Sequence, residues 1–285
     1  ALKVLLYLLL AIIMVVLLGV LWVRYQFATL EADSDALPTH FSALPLTPAF
    51  APGEREPCAE SYPLKHAWFG DLHVHTAVSY DSAAFGNIAT PDDAYRFAQG
   101  GKLTLRLRSD GRKPEDQIPT VQLARPLDFA AVTDHAENMA AVKICLTPGA
   151  EGYGSLPCGL YRGDIRLPVE DTLQPLIRLA SFAILGTQRA ARVCGSDGAR
   201  CLAATKDSWL EAQRAAEEAY DRSADCSFSS FVAYEYSLAK EASNLHRNVI
   251  FANATVPPVP LSAQDTEQPE KLWGWLKSQC VDSGT

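Results

Sequence analysis

Apolar and polar positions follow different rhythms along this 285-residue chain, and the changes of rhythm divide it. Residues 4–23 (VLLYLLLAIIMVVLLGVLWV) carry no charge over about 20 positions, the length a helix needs to cross a bilayer. Lys3 and Arg24 flank the run, and Tyr7, Trp22 and Tyr25 fall where interfacial aromatics belong. A cleaved leader has a shorter apolar core of roughly 7–15 residues and a small-x-small site. VRYQFATLEAD offers no such site, so residues 1–25 are expected to be a retained transmembrane helix. The amino terminus would lie inside and the body outside. Residues 26–66 lack any period and are rich in Pro, Ala and Ser, as expected of an extended linker.

The body, residues 67–285, opens with a strand pattern in HAWFGDLHVHT. A helix follows over TPDDAYRFAQGG, with Thr90 as N-cap, Pro91 in the first turn, two early Asp residues and Gly100-Gly101 as a stop. KLTLRLRSDGRKPEDQ alternates apolar and basic residues and turns at Asp110-Gly111, reading as a solvated hairpin or edge strand. PLDFAAVTDH is a continuous apolar run of strand length, suited to a buried parallel strand. Residues 136–228 break the rhythm with a Gly-rich, Cys-bearing loop and two helical patterns, DTLQPLIRLASFAILGTQRAARV and KDSWLEAQRAAEEAYDRS, and read as an insertion. Strand patterns return in FSSFVAYEYS and HRNVIFANATV, and an amphipathic helix, QPEKLWGWLKSQC, comes last. Strands alternating with helices predict an α/β fold, either a β/α barrel or a layered sheet.

Composition changes this picture in two places. A net charge of −8 with only 25 Lys and Arg argues against a nucleic-acid partner, which requires basic surface to meet phosphates. Seven cysteines without a C-x-x-C pair suit an exported body better than a zinc knuckle. The turn-rich loops Cys194–Cys201 and Cys145–Cys158 are each candidates for a disulfide, although buried thiols are the alternative. The odd count leaves one cysteine over.

The candidate chemistry lies at the ends of the strand patterns. In an extended segment, residues two apart share a face, so His73 and His75 point together and Asp71 joins them as a possible orienting carboxylate. An isolated H-x-H also arises by chance in a chain of this length. Asp134 and His135 close the second apolar strand, where a charge is costly to desolvate without compensation. Glu235 sits among aromatics, where burial would disfavour its ionised form unless a cation reversed that. His246 opens another strand-like run, with Arg247 beside it to meet an anion. Four of the six histidines and one carboxylate thus converge in type and place. Nitrogen and carboxylate donors without thiolate suit zinc, manganese or iron.

GDLHVHT, VTDH, AYEYS and NLHRNVIF, in this order, resemble the PHP (polymerase and histidinol phosphatase) superfamily of metal-dependent phosphoesterases, closest to domain-of-unknown-function family 3604. The resemblance spans roughly residues 67–280. It implies part of a distorted, seven-stranded β/α barrel with two or three divalent metal ions. It also implies His73, His75 and His135 as ligands, Glu235 as a carboxylate bridging two ions, and His246 as a further ligand. Asp81 stands where the superfamily often has another histidine and is a sixth candidate. Asp134 is then a residue that orients or accepts a proton, because the nucleophile in this class is generally water. The superfamily draws more ligands from later strands, yet no histidine follows His246. The resemblance therefore implies an incomplete domain whose site is partly missing. The activity expected is hydrolysis of an anionic phosphate ester. Hydrolysis of an amide or other ester, or a non-catalytic metal-binding domain, are the alternatives.

Overall fold

The computed structural model describes residues 53–105, 119–166, 168, 170–184, 191–240 and 243–282, with residues 7, 14, 17, 18, 37 and 41. The chain divides into two units, Ala1–Leu37 and Pro38–Thr285. The predicted anchor lies outside the described residues except at Tyr7, Met14, Leu17 and Leu18. Among the described residues, no helix is long and apolar enough to cross a membrane.

Three short strands form a parallel sheet in the order β1 (Gly70–Val74), β4 (Phe129–Val132), β5 (Ser229–Phe231). β4 is central because its Phe-Ala-Ala-Val run is apolar on both faces, and Ala130, Ala131 and Val132 are all buried. β1 approaches it so closely that only glycine fits at position 70. A β-carbon there would lie 2.3 Å from the Phe129 ring and 2.4 Å from its carbonyl oxygen. β1 is an edge strand with most of its residues exposed, less buried than its apolar letters suggest.

Between β1 and β4 come a short helix α1 (Tyr80–Ala84), helix α2 (Pro91–Ala98) and a small hairpin of β2 (Leu103–Thr104) and β3 (Thr120–Val121). The predicted turn at 110–111 lies outside the described residues. α2 starts as its sequence dictates, with Thr90 and Asp93 forming a reciprocal capping box ahead of Pro91. Its buried Tyr95 clamps the sheet, the hydroxyl donating to the Phe231 carbonyl at 2.9 Å and accepting from Val132 N–H at 3.1 Å.

The segment read as an insertion also serves as the crossover that the parallel pair β4–β5 requires. It contains α3 (Met139–Leu146), α4 (Leu156–Arg162), α5 (Gln174–Ile184), α6 (Ala191–Cys194) and the long α7 (Ala199–Ala219). α3 and α4 lie where sequence suggested only a Gly-rich loop. Disulfides Cys145–Cys158 and Cys194–Cys201 both form and sit within the apolar cluster of this segment, with Val142, Ile144, Tyr161 and Val193. A third bridge, Cys58–Cys226, ties the described end of the linker to the body. There the chain is extended and exposed, as expected, and Glu56 and Ala59 donate backbone hydrogen bonds to Arg222 and Ala224. Cys280 is the cysteine outside the three bridges.

After β5 the topology departs from the expected alternation. β6 (Ala233–Lys240) and β7 (Ser243–Ile250) pair antiparallel as a hairpin, and FANATV, read as strand, is not one. Among the described residues there are three separate sheets and no closed barrel. The last helix, α8 (Pro269–Leu276), buries Leu272 and Trp275 as its period predicts, and Trp275 donates to the Phe41 carbonyl.

Candidate metal centre

Two backbone devices assemble the site. The segment after β4 runs alongside β6, with Glu235 N–H donating to Asp134 O and Ala136 N–H donating to Glu235 O, so His135 and Glu235 form a parallel bridge. The hairpin register then opposes Glu235 to Asn248 and Ser237 to His246. Opposed residues and residues two apart share a face, so Glu235, Ser237 and His246 project together. Asn248 docks the hairpin on β1 by donating to the Leu72 carbonyl at 2.9 Å. Glu235 and His246 therefore reach the site from the interior of an antiparallel hairpin, not from the ends of parallel strands as predicted.

Glu235 is the hub and is fully buried, at 0 % exposure. Its Oε2 lies 2.8 Å from Nε2 of His73 and 2.7 Å from Nε2 of His75. Its Oε1 is hydrogen-bonded to His246 Nδ1, accepts from Ser237 Oγ at 2.5 Å, and lies 3.8 Å from His135 Nδ1. Burial works against ionisation of this carboxyl, but hydrogen bonds from His75 and Ser237 and the charge of His135 hold it well below the usual carboxylate range. Asp81 is the second hub. It lies 3.1 Å from His75 Nδ1 and 3.5 Å from His135 Nε2, and accepts from Ser79 Oγ at 2.6 Å. Those contacts overcome its burial and hold it far below the usual range. Burial also opposes charge on His75 and His135. The carboxylates outweigh it, raising His75 to about 10 and His135 to about 9.

Among the described residues, three groups could each hold a cation: His73, His75 and Glu235; His75, Asp81 and His135; His135, Glu235 and His246. They are not independent. A neutral imidazole offers one lone pair, yet His75 and His135 each belong to two groups through opposite ring nitrogens. The first and third groups share no histidine, and Glu235 supplies a different oxygen to each. The donor set fits borderline cations bound by nitrogen and oxygen. A second observation also fits: among the described residues, His135 Nδ1 and Glu137 Oε2 beside it are buried without a hydrogen-bond partner.

All six expected ligand candidates are thus brought together. Asp134 is adjacent but turned away from this role. It is buried, and its two oxygens accept from Thr76 N–H at 2.5 Å and Thr76 Oγ at 2.6 Å. Burial raises its carboxyl to about 6 despite those bonds. Asp71 does not orient an imidazole; it accepts the backbone N–H of His73 at 3.0 Å. Arg247 is exposed and donates to the His246 carbonyl. Glu137, Ser79 and Ser237 were missed by sequence. For Glu137 the signal was present, because it stands two residues after His135, the spacing of His73 and His75.

Over residues 62–285 the chain matches the model of the family described as protein of unknown function (DUF3604), and it belongs to that family. No curated protein and no solved structure matches it.

Proposed function

We propose that the chain is a metal-dependent hydrolase of phosphate esters, with two divalent cations held on either side of Glu235. The observation that carries this reading is one fully buried carboxylate approached by four imidazoles, two at each oxygen. Zinc, manganese or iron suits that donor set. Such ions supply Lewis acidity, lowering the pKa of water towards neutrality and offsetting charge on phosphoryl oxygens. His73, His75 and Glu235 Oε2 hold one position; His135, Glu235 Oε1 and His246 hold the other. Asp81 accepts an N–H from His75 and lies 3.5 Å from His135 Nε2, so it faces the ring nitrogens turned away from Glu235 and orients both rings. Asp134 positions the loop after β1 through Thr76, so that His75 and His135 stay in register. The His73 and His246 side chains are 53% and 47% exposed, leaving that side open to an anionic substrate. This openness favours catalysis over a closed structural site.

The resemblance to PHP phosphoesterases, with the described strands as part of a distorted barrel, supports the same reading. We further propose an extracytoplasmic body on an N-terminal membrane anchor. Three disulfides favour an oxidising compartment, and the charge-free run 4–23 supplies the span.

The test is turnover by the full chain, loaded with zinc, manganese or iron, on phosphomonoesters, phosphodiesters and amides side by side. Phosphate-ester hydrolysis is expected, and His73→Ala should lower it by about 100-fold or more. His73→Ala at full activity contradicts the metal mechanism, and turnover of amides alone transfers the reading to C–N hydrolysis.

A further inference from the structure

Glu137 has no part in the ligand set above, yet its surroundings are those of a ligand. It is 6% exposed, next to a cluster of buried carboxylates, where a lone acid is costly unless compensated. One oxygen, Oε1, is satisfied: it accepts from Ala263 N–H at 2.7 Å and from Ser237 N–H at 3.1 Å. Oε2 has no hydrogen-bond partner among the described residues, and 3.6 Å away lies His135 Nδ1, also buried and also without one there.

Two orphaned polar atoms facing one another need a common explanation, since each costs about 1–3 kcal/mol when left unmet. A direct hydrogen bond is ruled out by distance, as such contacts run to about 3.2 Å. Two ligands of one cation behave differently. With each bond about 2.0–2.2 Å long, donors on neighbouring corners stand roughly 3–3.6 Å apart. The separation from His135 Nδ1 to Glu137 Oε2 (3.6 Å) falls at that spacing and the one to Glu235 Oε1 (3.8 Å) just beyond it; Glu137 stands outside the three ready-made groups, so its carboxylate would close on the position as a cation enters.

The backbone holds Glu137 in this pose. Asn138, the next residue, adopts a left-handed conformation with φ of 61°, which asparagine tolerates better than most residues. Its side-chain oxygen accepts from Gln264 Nε2 at 2.8 Å. The turn that aims Glu137 is therefore pinned on both sides, by the two amides on Oε1 and by Gln264.

We propose that Glu137 is a metal ligand, its Oε2 completing the cation position formed by His135 Nδ1, Glu235 Oε1 and His246 Nδ1. This rests on the metal-centre reading above and adds a second, non-bridging carboxylate to one of its two positions. That position then carries two carboxylates and two imidazoles, whereas the position at His73 and His75 has a single carboxylate oxygen. The two sites differ in charge, so they should differ in affinity, with the Glu137 site the tighter.

Glu137→Gln tests this, because glutamine can keep an acceptor oxygen on Ser237 and Ala263 while replacing the ligand oxygen by an amide nitrogen. Calorimetric titration of the metal-free full chain with Mn²⁺ or Zn²⁺ should show two classes of site in the wild type. Glu137→Gln should weaken the tighter class by about 100-fold or more and spare the other. Equal affinities in variant and wild type overturn the proposal and leave Glu137 as a brace for Ser237 and Ala263. A wild type that takes up no cation overturns the metal-centre reading itself. Should Glu137→Gln fail to fold, anomalous scattering from zinc-loaded wild-type crystals decides. A peak within about 2.3 Å of Glu137 Oε2 supports the assignment, and a peak bound to His135 and His246 but beyond ligand distance from Glu137 overturns it.

Discussion

At the residue scale, the division of labour between the two hub carboxylates is the sharpest feature. Glu235 faces ring nitrogens on both of its oxygens, whereas Asp81 faces the opposite nitrogens of His75 and His135. Asp81→Asn should therefore keep cations bound but weaken them about 10–100-fold, as loss of an orienting carboxylate does; equilibrium dialysis against Zn²⁺ measures this. The same geometry makes the metal-free chain sensitive to pH. His75 and His135 are raised from 6.5 to about 10 and about 9 by their carboxylate partners. A raised folded-state pKa contributes stability that is complete below 6.5 and is lost as pH climbs through the folded value. The melting temperature of the metal-free chain should thus fall between about pH 6.5 and about 10 and level off above that. Cation binding must displace these protons, so apparent affinity should rise from pH 6 to about 9, with protons released on uptake. Calorimetry in buffers of different ionisation enthalpy checks that release.

The candidate ligand histidines and Glu235 were legible in the sequence because each follows or lies in an apolar run where an isolated polar residue requires a partner. Glu137 was passed over despite its two-residue spacing from His135, because its segment read as the start of a loop, where an acid is ordinarily solvated. Asp134 was read as a residue that orients or accepts a proton, and its two oxygens accept from Thr76 at the start of the loop after β1.

At the scale of elements, local signals were decisive where the interactions are local. The Thr90 N-cap was readable from the residues around it, Asp93 adds a reciprocal bond that the sequence reading took for dipole compensation, and Thr90→Ala should cost about 1 kcal/mol in denaturant unfolding. β4 was readable because burial on both faces leaves no polar alternation. Pairing is another matter. Nothing in FVAYEYS and NLHRNVIF states whether the two strands run parallel or fold back, and the pairing that forms is antiparallel. Helices α3 and α4 were hidden by the glycines and prolines around them, since their formation depends on packing and on the Cys145–Cys158 bridge. Gly70 shows how such placement is enforced. Gly70→Ala should push β1 off Phe129 and shift His73 with it, so both thermal stability and cation affinity should drop together.

At the scale of the whole molecule, the body is stapled at three points, and two of the three were foreseeable from short loops. Cys58–Cys226 was not, because 168 residues separate its partners and no local pattern marks it. It fastens the end of the linker to the segment just before β5. Replacing Cys58 by Ser should cost about 2–5 kcal/mol in chemical denaturation, chiefly by freeing the unfolded chain. Cation affinity should change little, because neither cysteine touches the cluster. The α/β class was legible from alternating apolar periods, but closure into a barrel is a long-range property that periodicity does not encode.

The proposed cation centre depends on one buried carboxylate, Glu235, approached by four imidazoles. Metal content after equilibrium dialysis, measured on the wild type and on Glu235→Gln, tests this most directly. Two divalent cations per wild-type chain, and essentially none in the folded variant, is the expected result. A wild type that binds none, or a variant that binds as many as the wild type, would contradict it.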